Sequence, residues 1–472
     1  MWNKIIKKNP IIFGISALLL ILLSITIVAN HVAMKRANRR WEELLNRLKK
    51  RGFRTSTKHL ITPCRHEENA AVYLNKAKSV FEVSDQAERA LLQCIHEGIQ
   101  SLGEEEKDYM RQAFAKNREA IDYLEKASRC RFFQNNEDCS KPIYEWEGVG
   151  LAGTSNMLHY LIVPRAKLAA DDGDLARAMD IGITGIKFAR VLTYDHSFIG
   201  LMFDLVWMQR NYDLLHCITS GKIVPKAQTR EIIELLEQDS FRQHMIDVLD
   251  FQRLLWLELV EASVEDNAIA RNYYLKYSGS FPIFSFEIDM SSPVGWVISK
   301  IYLNTPVLLN DGIYVQEKHV EMIEAGLESF QKAKEVFLDI EQETKKMSQI
   351  HFIPQFSLTY LVNMLEDTMQ AIARSRITCA ALACKLYYND QGHYPETLED
   401  LSPGYLEETP EDPATGAPLK YQRFREGGFV IYGVGKNGKD DCTVSSTYED
   451  FKNLVENVDD ILWLEPRVKV PE

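Results

Sequence analysis

One stretch of the chain has an unbroken apolar pattern, at its N-terminal end. Residues 11–29, IIFGISALLLILLSITIVA, contain no charged side chain. At 1.5 Å per residue, a helix of this length spans about 28 Å, enough to cross a hydrocarbon core of about 30 Å. The run is long for a cleavable signal peptide, and the tripeptide at 27–29 is a poor cleavage site. We therefore predict a cytoplasmic stub and one uncleaved transmembrane helix within residues 1–33.

Beyond the apolar run, the pattern becomes that of an amphipathic helix. Apolar side chains recur with the spacing i, i+3, i+4 and i+7 at Trp41, Leu44, Leu45 and Leu48. This spacing predicts that the membrane helix continues without a break. Gly52 is a candidate C-cap for it. The juxtamembrane helix and the linker that follows occupy residues 34–66.

Residues 67–356 have mainly helical periodicity and predict an α-helical body. Ser84 and Ser101 are candidate N-caps of two of its helices. Two further helices meet at Gly173-Asp174, where small side chains allow close approach, in a pattern that resembles a degenerate tetratricopeptide-type hairpin. We expect helices Tyr314–Lys346 and Ser357–Asp390 to follow. The fold class is therefore mainly α, with a solenoid-like body.

The segment 268–312 interrupts this pattern with Pro, Gly, Ser and aromatic residues. It is either a functional lid or interaction loop, or a loop whose aromatic side chains simply pack on the helical body. Those side chains are Phe281, Phe284, Phe286 and Trp296.

Near the C-terminus, the period changes from helical to that of strands. Residues 357–447 predict a long helix that ends at Gly392, then two antiparallel strands joined by a hairpin at Arg425–Gly428. Residues 448–472 have an amphipathic, acidic pattern, for which we predict a helical tail.

Charge divides the chain unequally. Residues 1–51 carry a net charge of +9, with eleven Lys and Arg against two Glu, and the remaining 421 residues carry −21. An acidic body argues against nucleic acid as a partner, since phosphate binding requires a basic surface. The basic residues between 35 and 51 instead suit anionic lipid headgroups beside the membrane.

No motif of a known catalytic class is present. The chain lacks GxxxxGK[ST], GxGxxG after a strand, GxSxG and HExxH, and its histidines show no i, i+4 pairing. The SxxK match at Ser329–Lys332 has no companion motif, so we predict no catalytic residue.

Six aromatic residues in the helical body either fill its core or line a concave binding surface: Tyr73, Tyr160, Trp207, Tyr212, Trp256 and Tyr273. Of the eight cysteines, Cys130 and Cys139 are the candidate local disulfide, and the alternative is that both are free thiols.

The C-terminal part resembles a known family. LYYNDQGHYP at 386–395, PEDP at 410–413 and YGVGKNGKDD at 432–441 have the order and spacing found in the globular domain of the type II secretion major pseudopilin. The resemblance implies a long helix leading into a small antiparallel sheet. Because residues 1–30 lack the pseudopilin leader pattern, we do not expect a pilus subunit. The whole chain looks more like anchored bacterial proteins that add a pseudopilin-like C-terminus to a helical repeat-like domain.

In that family, the loop after the last strand can bind calcium. The matching residues here are Asn437, Asp440 and Asp441, whose oxygens suit Ca²⁺, although the same sequence also suits a solvated polar turn. The resemblance also favours the bacterial inner membrane with an extracytoplasmic body. The count of Lys and Arg around the span favours the opposite orientation.

Three functions are compatible with these patterns. We prefer a non-enzymatic, membrane-anchored scaffold that binds a protein or peptide. The first alternative is a membrane-bound hydrolase with a site in the helical domain under residues 268–312. The second is an accessory component of a pilus or type II secretion-like system. Titratable groups clustered beneath that loop would favour the enzyme, and a groove lined by exposed aromatic side chains would favour the scaffold.

Overall fold

The computed structural model is mostly helical, with one small sheet. It describes residues 10–56, 64–134, 152–193, 196–238, 240–265, 302, 305–348, 351–440, 442, 447–454 and 461–468. The first helices are α1 (Pro10–Lys50), α2 (Ala70–Val80), α3 (Asp85–His96), α4 (Glu104–Lys116), α5 (Arg118–Ala127), α6 (Ala152–Asp171), α7 (Leu175–Leu192), α8 (Phe198–Thr219), α9 (Lys226–Glu237) and α10 (Phe241–Glu265). The later elements are α11 (Val307–Glu328), α12 (Phe330–Lys345), α13 (Phe352–Leu358), α14 (Leu361–Gln391), β1 (Lys420–Arg423), β2 (Phe429–Gly433), α15 (Tyr448–Leu454) and β3 (Ile461–Glu465).

Helix α1 is both the candidate membrane span and a part of the folded body. Its N-terminal part is long and apolar enough to cross a membrane. Its C-terminal part buries one stripe in the main hydrophobic core, with exposures of 1–6% for Ala37, Trp41, Leu44 and Leu48. The helix ends as predicted, because Gly52 adopts a φ of +86° and its N–H donates to the Lys49 carbonyl. The predicted continuation of the membrane helix is confirmed.

Helix α1 docks against α10 and α11 at one close contact. A Cβ added to Gly312 of α11 would lie 3.0 Å from Trp41 Cζ3 and 3.0 Å from Val260 Cγ1. The indole therefore occupies space that any larger residue at 312 would need. At the helix surface, Arg47 and Arg51 form ion pairs with two exposed glutamates of α11. We call this contact the anchor joint.

The predicted hairpin between α6 and α7 is present. Gly173 has a φ of +87°, and the side chain of Asp174 caps α7 by accepting the N–H of Arg177 at 3.0 Å. Pro164 lies inside α6, which continues through it. Gly185 of α7 faces Asn211 of α8, and a Cβ there would lie 2.2 Å from Asn211 Oδ1. Small residues thus allow α7 and α8 to approach closely.

Several predicted boundaries are wrong. Gly103, rather than Ser101, is the N-cap of α4, and Ser101 instead closes a short 3₁₀ turn. The irregular segment does not extend to residue 312, because α11 begins at Val307 with Pro306 as its N-cap. Of the rest of that segment, residues 302, 305 and 306 are described, and its three Phe residues and Trp296 lie outside the described residues.

Two long predicted helices are each divided in two. At Ser329 the backbone is extended, with φ −162° and ψ +162°, and the side chain accepts the N–H of Lys332 at 3.0 Å. The SxxK match is therefore an N-cap for α12. The segment predicted to begin at Ser357 starts instead with the short helix α13, and α14 begins at Leu361.

The C-terminal module follows the predicted order up to its last element. Gly392 ends α14 with a φ of +76° and donates to the Tyr388 carbonyl at 2.8 Å. Strands β1 and β2 pair antiparallel through the predicted hairpin. The predicted helical tail is only partly helical, because α15 is followed by β3, which pairs antiparallel with β2. Residues 461–465 (ILWLE) combine apolar and aromatic side chains that suit a buried strand. The acidic residues around this short segment made the strand pattern difficult to recognise in the sequence.

Strand β3 is held to the helical body by a buried ion pair. Lys385 of α14 contacts Glu465 of β3, and their side chains are 2% and 0% exposed. The Glu465 carboxylate also accepts the Gly221 N–H at 2.8 Å and the Trp463 indole N–H at 3.1 Å. Burial lowers the pKa of Lys385, and the charge of Glu465 opposes that shift. We call this contact the β3 joint.

Candidate functional site

The predicted calcium residues lie in the loop after β2. Asn437 Oδ1 accepts the N–H of Lys439 at 2.7 Å, and Asp440 Oδ1 accepts the N–H of Cys442 at 3.3 Å. Asp441 lies outside the described residues. Two of the three predicted ligands thus lie in the same loop, and each already uses one oxygen in a local turn. Their oxygen donors fit Ca²⁺, which requires six or more such donors. The calcium site stays a prediction.

A carboxylate of the PEDP sequence at 410–413 organises this module. Asp412 is 3% exposed, and its two oxygens accept the N–H of Val434 at 2.8 Å and the N–H of Ala414 at 2.9 Å. Asp412 thereby connects the loop before β1 to the end of β2. Its role is structural, since both oxygens are used by backbone donors.

Most of the aromatic residues considered for a binding surface are core residues. Tyr160, Trp207, Tyr212 and Trp256 are at most 7% exposed, Tyr73 is half-buried, and Tyr273 lies outside the described residues. Core filling is therefore confirmed for four of the six.

Cys130 is a free thiol, and Cys139 lies outside the described residues.

A carboxylate, a tyrosine and a histidine meet at the start of α11, and the first two lie within the segment 268–312. Asp311 accepts the Tyr302 hydroxyl at 2.6 Å through one oxygen, and its other oxygen lies 2.7 Å from His351 Nδ1. Asp311 is 3% exposed, and burial raises its pKa. The His351 side chain is 37% exposed. A carboxylate that orients an imidazole in this way is a common feature of general-base sites, and it equally tethers α13 to α11.

A polar trough lies between α5 and the α6–α7 hairpin. It consists of two cavities of about 400 Å³ and 350 Å³, which share Glu125, Arg165 and Arg177. Arg118 lines the first cavity, and Arg129 lines the second. We call this feature the arginine trough.

The middle of the arginine trough contains a guanidinium that is mostly buried. The Arg165 side chain is 17% exposed, and its Nη2 lies 3.3 Å from Glu125 Oε1. Burial lowers the pKa of Arg165, Glu125 opposes that shift, and the like charge of Arg177 adds to it. An arginine has five N–H donors, and those that Glu125 does not accept remain accessible from the trough, since no Arg165 nitrogen is both fully buried and without a partner.

Other cations of the trough are exposed and lack a charged partner. The side chains of Arg118, Arg129 and Arg177 make no hydrogen bond or ion pair with any described residue. Asp122 and Asp180 are the exposed carboxylates of the lining that are likewise unpaired within the described ranges. No sequence pattern identifies this set, because charged residues spaced for helix surfaces look like ordinary solvent-facing positions until the helices are placed together.

Comparison with protein-family models, with curated proteins and with solved structures found no match to this chain.

Proposed function

We propose that this chain is a membrane-anchored, non-enzymatic scaffold whose helical body binds another protein. One observation carries the proposal: α1 is a candidate membrane span at one end, and at the other its apolar stripe of Ala37, Trp41, Leu44 and Leu48 is buried in the body core. A packed helix, unlike a flexible linker, holds the body at a fixed distance from the bilayer. A polar trough that is held at a fixed distance from the bilayer is suited to binding a partner protein.

The proposed location is the bacterial inner membrane, with the body outside the cytoplasm. Support for it comes from the pseudopilin-like pattern of residues 379–441. The native Cys217 is exposed and provides a direct test. We expect a membrane-impermeant maleimide to label Cys217 in intact spheroplasts, and Cys217→Ser to remove that label. Labelling that requires lysis would place the body in the cytoplasm.

We propose that lipid contact is concentrated in the first part of the basic segment 35–51. Along a continuous helix, Arg47 and Arg51 lie about 27–33 Å beyond the apolar run, whereas Lys35 and Arg36 lie within about 11 Å of it. Membrane surface charge is screened over about 8 Å at physiological salt. Replacing Lys35 and Arg36 by Gln should therefore weaken binding of anionic lipid, measured by native mass spectrometry, more than replacing Lys49 and Lys50.

Crosslinking in membranes tests the scaffold function. A photoreactive amino acid at exposed positions of the body should capture a defined partner, which a membrane-anchored control protein does not capture. Pilin-like proteins among the captured partners would support an accessory role in a pilus or type II secretion-like system. Absence of any specific partner would contradict the scaffold proposal.

A hydrolase is the second candidate, and the Asp311–His351 contact favours it. In that case His351 would act as the general base and Asp311 would orient its ring. Hydrolysis of ester, peptide or glycan test substrates by the purified chain, lost in His351→Ala, would support this function. Substrate turnover unchanged by His351→Ala would show that the pair serves only to hold α13.

A bound calcium ion is a separate proposal. Asn437, Asp440 and Asp441 would hold it and order the loop between β2 and α15. Thermal unfolding should then shift upward with Ca²⁺ relative to EGTA, and Asp440→Ala or Asp441→Ala should abolish the shift. Identical melting curves in Ca²⁺ and EGTA would contradict the proposal.

A further inference from the structure

We propose that the arginine trough binds an extended, carboxylate-rich segment of a partner protein. This inference rests on the scaffold function and names the chemistry of its partner. Three properties of the trough support the proposal: accessible hydrogen-bond donors of Arg165, unpaired cations along its length, and a shape longer than a small anion.

The accessible donors are those of Arg165. Its side chain is 17% exposed, and Glu125 contacts it through a single N–O distance of 3.3 Å. No nitrogen of Arg165 is both fully buried and without a partner, so its other N–H groups are open to the trough, where a ligand carboxylate can replace water with charge-assisted hydrogen bonds. A carboxylate matches the planar fork of a guanidinium with two parallel hydrogen bonds.

The unpaired arginines make the net charge of the trough positive. After the ion pairs within the lining are formed, Arg118, Arg129 and Arg177 remain, against Asp122 and Asp180. This local excess of one positive charge lies in a chain whose residues 52–472 carry a net charge of −21. Acidic molecules are therefore repelled by the body in general, and only a segment whose carboxylates reach the trough arginines gains from contact.

The length of the trough favours a peptide over a small anion. Arg118 and Arg129 are eleven residues apart at the two ends of α5, which corresponds to about 16 Å of helix axis. An extended chain rises about 3.3 Å per residue, so about five residues are required to reach from one end to the other. A single phosphate or carboxylate contacts only one of these positions at a time.

The proposal is tested with the full-length chain in nanodiscs of zwitterionic lipid. The probe is a fluorescent peptide of alternating Glu and Ser, and its matched control has Gln in place of every Glu. We expect fluorescence anisotropy to report binding of the Glu peptide alone. Because salt screens exposed charges, binding should weaken as the salt concentration rises. The double variant Arg118→Gln/Arg177→Gln should bind about tenfold more weakly, the effect of losing about 1.4 kcal/mol.

Both substituted positions are exposed, so the double variant should keep the melting temperature of the native chain. Arg89→Gln is the matched control, since Arg89 is an exposed arginine on α3 outside the trough, and it should bind like the native chain. Equal binding of the Gln peptide, unchanged binding by the double variant, or no binding of the Glu peptide would overturn the proposal.

Inorganic phosphate separates the peptide from a small anion. Phosphate that binds as tightly as the Glu peptide, measured by its competition against the peptide, would make the trough a small-anion site and contradict the proposal. Failure of the peptide test leaves the scaffold function standing if crosslinking in membranes still captures a partner elsewhere on the body. If both experiments fail, the scaffold proposal itself is contradicted.

Discussion

The helical body is joined to a different element at each end, and the two joints use different interactions. At the anchor joint, Trp41 and its apolar neighbours fill a gap above Gly312, and the ion pairs of Arg47 and Arg51 lie at the exposed edge. At the β3 joint, Lys385 and Glu465 form an ion pair with almost no exposure to water. The first joint depends on shape, and the second on matched charge.

This difference determines which single changes each joint tolerates. Exposed ion pairs contribute little, because water and salt screen them and long side chains lose freedom when they pair. A buried pair behaves differently, since removal of one partner leaves the other charge without compensation. Apolar packing is sensitive to volume, and a methyl group added where no space exists forces neighbours to move. The following predictions test these expectations, from the largest effect to the smallest.

The largest effect should come from breaking the β3 joint on one side. Lys385→Met leaves the Glu465 carboxylate buried without its cation, and we expect the free energy of unfolding to fall by about 3–5 kcal/mol. Urea denaturation in detergent measures this change. Lys385→Met/Glu465→Gln removes both charges and keeps an acceptor for the Gly221 N–H, so it should recover most of the loss. A double variant as unstable as Lys385→Met would contradict the role of charge.

Acid should destabilise the anchor side of the body. Burial lowers the pKa of His319 on α11, and likewise that of His159 on α6, to about 4. Both are neutral in the folded chain, whereas in the unfolded chain they take up protons below a pH of about 6.5. Stability is therefore fully present above that pH and falls as the pH drops toward 4, by up to about 1.4 kcal/mol per pH unit for each histidine.

The variant His319→Leu isolates one of these two histidines. Urea denaturation between pH 7 and pH 4 should show a shallower loss of stability than in the native chain, because His319 no longer contributes its share of that loss. Hydrogen exchange of α11 should increase with acid in the native chain and less in the variant. A pH dependence identical to that of the native chain would exclude His319 as a cause.

A methyl group at Gly312 should loosen the anchor joint. Its Cβ would lie 3.0 Å from both Trp41 and Val260, so we expect Gly312→Ala to cost about 1–3 kcal/mol. Gly326→Ala, on the same helix, is the control. Its Cβ would have ordinary contacts of 3.5 Å or more, and alanine is the better helix former, so this variant should be neutral or slightly stabilising. Equal melting temperatures for the two variants would contradict the close packing of Trp41.

The smallest effect should come from the exposed ion pairs of the anchor joint. Arg47→Ala and Arg51→Ala should each change the free energy of unfolding by less than about 1 kcal/mol. Their effect should shrink further in high salt. A loss as large as that expected for Lys385→Met would show that charge, rather than shape, holds the anchor joint.

Much of the architecture follows from local patterns in the sequence. The run at 11–29, the stripe from Trp41 to Leu48, the turn at Gly173 and the stop at Gly392 were all predicted, because each depends on neighbouring residues alone. The break at Ser329 was missed, although Ser is a common N-cap, because apolar periodicity continues on both sides of it. Strand β3 was missed because its strand pattern is only five residues long.

Neither the two joints nor the arginine trough could be predicted from local sequence patterns. Lys385 and Glu465 are 80 residues apart, and nothing in either local sequence indicates that the other charge will be buried beside it. Arg118 and Arg177 look like solvated helix positions until α5 and α7 are placed on either side of Arg165. Contacts between distant segments depend on tertiary packing, which one sequence without its fold does not specify.

The central claim is that α1 and the body form one rigid unit at the membrane. Double electron–electron resonance in nanodiscs tests it directly, with spin-labelled unnatural amino acids at Arg39 on α1 and Arg89 on α3, both exposed. We expect one narrow distance distribution, as narrow as that of a label pair within the body, and a broad one in Trp41→Ala. A broad distribution in the native chain would show that the anchor is a flexible tether and would contradict the account.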